Sequence, residues 1–225
     1  MKKFICFMLA CFMLASCGMM NFVTRETQYA KMYEEKPVTL LVMPPINNST
    51  NVEAKELLYT SISRPLVEAG YYVISPLLAM DVLKAESAYD AEMFLEADLT
   101  PFRNVLDADA AMFTIIKDWR RNNVGGMLTV KIEYILRSTK TGQTLYTREG
   151  EIKVDTSIDG GSGGFGALVG MIATAINTAA TDKVVAGRKC TAFVLTDLPA
   201  GKYSPMHEKD ASNPAGKKFI KATVK

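Results

Sequence analysis

Residues 37–76, PVTLLVMPPINNSTNVEAKELLYTSISRPLVEAGYYVISP, decide the fold class. The apolar run Val38–Met43 is stopped by Pro44-Pro45, as expected of a short buried strand. Ile46–Thr50 is turn chemistry, and Thr50-x-x-Glu53 reads as a capping box opening a helix. On that helix Ala54, Leu57, Leu58, Ser61, Ile62, Pro65 and Leu66 share one face. Pro65 should make its later turns irregular, and Gly70 should end it. Tyr71–Ser75 is a second strand, and Ser75-Pro76 sets a cap and an N1 proline before a helix over 77–85. Strand, helix and strand at this spacing imply a right-handed crossover between parallel strands.

Further on, 88–97 is expected to continue as helix. Thr100-Pro101 opens a short helix through Leu106, and 110–118 (AAMFTIIKD) is a third strand. The pattern then changes. Leu128, Val130, Ile132 and Tyr134 alternate with Thr129, Lys131 and Glu133. After the turn at 139–142 a second alternating strand returns over 143–155, with Thr147, Glu149, Glu151 and Lys153 facing out. Such alternation marks an antiparallel hairpin with one face in water. The glycine run 159–166 then leads into a long helix over 167–186, closed by Gly187, and a last strand is expected over 189–195. The expected fold is α/β: a three-strand βαβαβ parallel portion continued by an antiparallel hairpin and a long C-terminal helix.

The chain begins MKKFICFMLACFMLASC. Lys2 and Lys3 precede an unbroken apolar run over 4–15, too short to span a bilayer but suited to a signal-peptide core. Leu14-Ala15-Ser16-Cys17 resembles a lipobox, in which cleavage before the cysteine leaves a thiol that carries diacylglycerol. The organisation expected is a signal peptide over 1–16, lipidated Cys17 with a tether over 17–36, a single domain over 37–196, and a polar basic tail over 197–225. Multiple acyl chains make a stable anchor in the bilayer. Gly18 follows the cysteine where an aspartate would suggest inner-membrane retention, which favours the outer membrane with the domain facing the periplasm.

The chain has 225 residues, 48% hydrophobic and 22% charged, which excludes a disordered polar chain. Its formal charge of +2 is too small for a nucleic-acid binder. Removal of 1–16 leaves Cys190 as the only free thiol, expected to act as a small buried hydrophobe. The six lysines of 202–225 face only Glu208 and Asp210, and either stay solvated or touch acidic lipid headgroups or a partner.

Two catalytic strings occur in the glycine run. Gly161-x-Gly163-x-x-Gly166 with Asp182 matches a dinucleotide fingerprint, but the preceding strand belongs to a hairpin instead of a βαβ unit. Gly160-x-Ser162-x-Gly164 matches a nucleophile elbow, with Asp182, Asp197 and His207 following in the serine–acid–histidine order. That elbow needs a packed, strained turn, and this one is glycine on nearly every side. A bending loop that lets a helix re-enter the domain is the simpler reading. No cofactor, metal or catalytic residue is therefore assigned; one histidine and one thiol cannot build a zinc cage. Glu92, Glu96 and Asp98 are spaced as a solvated helix face. Trp119-Arg120-Arg121 fits either a hairpin end or an anion contact. Gly166, Gly170, Thr174 and Thr178 form a small-residue stripe, suited to packing on the sheet or to self-association.

Residues 36–47 (KPVTLLVMPPIN) and 64–76 (RPLVEAGYYVISP) resemble a family of bacterial lipoproteins of unknown function. Its members include a neisserial surface-antigen candidate and are commonly encoded beside CsgG-like lipoproteins. Further echoes are Leu106–Ala111, Val184–Gly187 and Leu198–Pro205. The resemblance covers roughly 36–205 and implies a fold like the amino-terminal domain of TolB, no established enzymatic activity, and an envelope role in which a CsgG-like partner is plausible. Only Cys17 carries over as a site, for lipid attachment. The expected function is a non-enzymatic interaction or accessory component of an envelope assembly. The alternatives are a periplasmic binding module for a small lipid or glycan fragment, and a hydrolase using Ser162.

Overall fold

A computed structural model describes residues 22–59, 61–121, 127–155 and 179–224. Two short helices open it, α1 (Arg25–Gln28) and α2 (Ala30–Glu35). Strands β1 (Thr39–Val42) and β2 (Ile46–Asn47) follow, then helices α3 (Ala54–Tyr59) and α4 (Ser63–Glu68). Next come β3 (Tyr72–Val73), α5 (Pro76–Ala85) and α6 (Thr100–Leu106). Three long strands complete most of the sheet: β4 (Ala110–Arg121), β5 (Met127–Ser138) and β6 (Thr144–Asp155). Helix α7 (Ala179–Val194) and strand β7 (Phe219–Val224) close the chain.

The strand order is β3-β1-β4-β5-β6-β7, with β2 also beside β4. β1 runs parallel to both β3 and β4, as the two crossovers require, and β4-β5-β6 is an antiparallel meander. The mixed α/β fold is therefore the one the hydrophobic pattern dictates. On one face, α2–α4 and α7 bury Leu40, Val42, Met112, Val130, Ile132, Tyr134 and Ile152. On the other, α5 and α6 bury Leu41, Met43, Ala111 and Phe113. The parallel strands are thus covered on both sides, which is why they read as continuous apolar runs. β5 and β6 leave a charged face outward. There Lys117 pairs with Glu133 (2.8 Å) and Glu149, Lys131 with Glu149 (2.9 Å), and Lys221 with Glu151 (3.2 Å).

A bulge in β4 sets the facing of its last turn. The pairing of Ile116 with Ile132 is followed by that of Asp118 with Lys131, so Lys117 is the extra residue. The parity of the strand switches there. Ile116 points into the core before the bulge and Trp119 after it.

Six expectations are corrected. Helix 88–97 does not form; α5 ends before Ser87, whose φ is +55°, and only a 3-10 turn at Ala91–Phe94 follows. The carbonyls of Phe94 and Leu95 are taken instead by the Arg137 guanidinium of β5, at 2.9 and 2.7 Å. Helix α3 starts at Ala54, and the Glu53 amide donates to the Asn51 side chain (3.1 Å). The expected capping side chain was Thr50. Gly187 does not end the late helix, and 189–195 is no strand: α7 runs to Val194, because Ala186, Cys190 and Val194 recur every fourth residue on its buried face. The span 197–225 is no loose tail, since β7 pairs in parallel with β6 from Glu149–Phe219 to Val154–Val224. Nor is the 25–36 part of the tether expected over 17–36 free of the domain, because α2 packs on β6, with Tyr29 before it and its own Met32 buried.

Candidate functional site

The two ends of the described chain meet in one buried polar cluster. Arg25 of α1 reaches Asp210 with Nη1 (3.0 Å) and Asp197 with Nε (3.3 Å), and its Nη2 donates to the Thr196 carbonyl (3.1 Å). Asp197 Oδ2 also accepts from the Tyr29 hydroxyl (2.6 Å) and the Gly216 amide (2.8 Å). Asp210 accepts from Tyr33 (3.1 Å) and the Ala200 amide (2.9 Å). Both carboxylates are at least nine-tenths buried. Buried charges persist only when they are paired and hydrogen-bonded, and these two are. Burial, then the neighbouring carboxylate, pushes the Tyr29 and Tyr33 phenols well above their ordinary range.

Arg148 extends this cluster from the sheet. It sits on the inner face of β6, where the alternation calls for an apolar side chain, and is buried. Its guanidinium donates to the carbonyls of Lys217 (3.0 Å) and Val194 (2.8 Å). A cation on the last carbonyl of α7 satisfies an orphan acceptor and complements the helix dipole. Arg148 thus binds the end of α7 to the segment leading into β7. Its position between Tyr146 and Ile152 on the buried parity of β6 was the available signal.

The residues singled out from the sequence scatter. Cys17, the glycine run with Ser162, and the stripe from Gly166 to Thr178 lie outside the described residues, and Asp182 is placed only through its backbone in α7. Asp197 belongs to the polar cluster, whereas His207 bonds the Ala200 carbonyl through Nδ1 (2.9 Å); no hydrogen bond joins the two. Glu92 and Glu96 are exposed beside the 3-10 turn. Asp98 receives the amide (3.0 Å) and hydroxyl (2.7 Å) of Thr100, which hold its carboxyl below the usual range. Among the described residues no group of His, Cys, Asp and Glu could hold a metal. Cys190 is fully buried beside the Val130 carbonyl, and burial pushes its thiol far up.

Two surface features remain. Trp119, Arg120 and Arg121 form an open ledge with Thr50–Glu53; Arg120 pairs with Asp118 (2.9 Å), and the buried Trp119 indole N–H has no acceptor among the described residues. A cleft of about 20 Å³ lies among Tyr33, Lys36, Tyr71, Ala200 and His207, room for a single water. No helix of the described residues is long and apolar enough to cross a membrane.

Comparison with known proteins places this arrangement. The model of the "Putative lipoprotein GNA1162-like" family matches residues 27–198, which is most of the chain. The chain belongs to that family. The "Putative lipoprotein NMB1124/NMB1162" of Neisseria meningitidis serogroup B is 25% identical over 197 residues, covering 87% of this chain and 90% of that protein. The crystal structure of lipoprotein GNA1162 from Neisseria meningitidis superposes with a TM-score of 0.50 at 22% identity. It covers 55% of this chain and 87% of its own, a likeness of fold. The family match begins at Thr27 and ends at Leu198, so it spans half of α1, all of α7 and Asp197, while Arg25, Asp210 and β7 lie beyond it.

Proposed function

We propose that the protein is a lipid-anchored envelope lipoprotein, acylated on Cys17 and held at the outer membrane with its domain in the periplasm. It acts there as a non-enzymatic interaction or accessory component of an envelope assembly. The observation that carries this reading is Leu14-Ala15-Ser16-Cys17 after a 12-residue apolar run. Membership of a lipoprotein family supports it. A CsgG-like lipoprotein is the partner that the sequence resemblance names. Among the described residues the sheet ends at β3 and β7, each with one strand side available for backbone pairing. For a lipid or glycan fragment the cleft beside Tyr71 is too small, with room for a single water, and the wider depression at Thr50–Glu53 and Trp119–Arg121 lies open to solvent.

The test is crosslinking and recovery of the acylated protein from native membranes, wild type against Cys17→Ala. An envelope protein recovered only with the wild type is the expected result. Equal recovery from both samples, or of background alone, would overturn the partner reading.

A further inference from the structure

We propose that the face built by Phe22–Glu26 and Ala211–Lys218 rests against the anionic headgroup surface of the bilayer, holding the domain in one orientation. The proposal rests on the acylation of Cys17 put forward above. From Cys17 to Phe22 is only five residue steps, at most about 18 Å when fully extended. A domain of this size is about 40 Å across, so so short a leash cannot bring its far side to the membrane.

The chain is locked from Val23 onward. The Ala215 amide donates to the Val23 carbonyl (2.8 Å), Arg25 to Asn213 (2.9 Å) and Glu26 to Ala211 (3.0 Å), with Thr24 and Pro214 bridged antiparallel. Behind this zipper, Arg25, Asp197 and Asp210 fasten both segments to the core. The membrane-proximal end is therefore a built surface.

Its chemistry suits an acidic interface. Phe22 and Val23 are 54% and 53% exposed, enough for shallow apolar contact. Lys217 and Lys218 stand exposed on the same face, with no ion pair among the described residues. Of the acids on this face only Glu26 is exposed, since Asp210 is buried against Arg25. Basic residues within a Debye length of an anionic leaflet are attracted to it.

The test uses the acylated full-length protein in vesicles of phosphatidylcholine with one-third phosphatidylglycerol, containing a nitroxide-headgroup lipid. A fluorophore is placed at Ser212→Cys or, on the opposite layer, at Val105→Cys; intact mass reports the acyl group on Cys17. The expected result is quenching about three-fold stronger at 212 than at 105, reduced by molar salt and by Lys217→Gln/Lys218→Gln. Equal quenching at the two positions in acylated protein overturns the orientation and leaves the anchor standing. The same contrast in phosphatidylcholine alone overturns the anionic contact. Absence of the acyl mass overturns the anchor and this proposal with it.

Discussion

Trp119 and Gly187 touch across the sheet–helix interface so closely that a Cβ on the glycine would lie 2.8 Å from the indole Cη2. The bulge at Lys117 turns Trp119 inward, and the missing side chain at Gly187 lets α7 settle on its ring. Gly187→Ala should therefore destabilise the protein by about 1–3 kcal/mol through overpacking, although alanine is the better helix former. Urea unfolding followed by the emission of this single tryptophan measures it; an unchanged or raised midpoint would show that α7 can shift freely.

The cluster at the chain ends makes a second prediction. Asp210→Asn removes one of the two carboxylates that Arg25 faces and should cost about 1–3 kcal/mol, since Asp197 still pairs with the guanidinium while the charge-assisted hydrogen bonds of Asp210 weaken. Truncation after Pro205 removes Asp210 and β7 together and should cost more. A loose tail would give neither effect, and thermal unfolding of the two variants distinguishes the cases.

Cys190 should be inert in the native state. Its thiol is fully buried in α7 and held protonated by burial. Reaction with a thiol reagent at neutral pH should be slow in buffer and fast in denaturant. Rapid modification of native protein would mean that α7 leaves the sheet readily.

The charged sheet face predicts an acid limb of stability. Burial alone would raise the Glu149 carboxyl, but Lys117 and Lys131 outweigh it and hold it below its ordinary value. The folded state therefore favours the ionised form. Its contribution is present above the unfolded pKa of about 4.3 and is lost as pH falls through the lower folded value. Glu149→Gln should flatten the loss of stability below that point. Denaturant midpoints measured between pH 3 and 6 check the slope.

The parallel half and the hairpin were legible because each carries its own local signal. Pro44-Pro45, Gly70 and Ser75-Pro76 punctuate the crossovers, and the two-residue period of 128–134 separates the core side from the wet side. The end of α7 was misread because 189–195 is a short apolar run that suits either helix or strand until the spacing of Ala186, Cys190 and Val194 is weighed. β7 was missed because FIKATV lies among lysines, and its partner strand, β6, is about 70 residues away in the chain.

The sequence alone determined the local elements, the change from buried parallel strands to a half-wet meander, and a lipobox-like signal at Cys17, since each depends on neighbouring residues. Only the tertiary structure decided what belongs to the domain. Arg25 is 185 residues from Asp210, and the carboxylates of Asp197 and Asp210 are acceptable in the interior because Arg25 and the hydrogen bonds around them are there. A segment that reads as tether and one that reads as tail become core when such distant groups cancel one another's cost of leaving water.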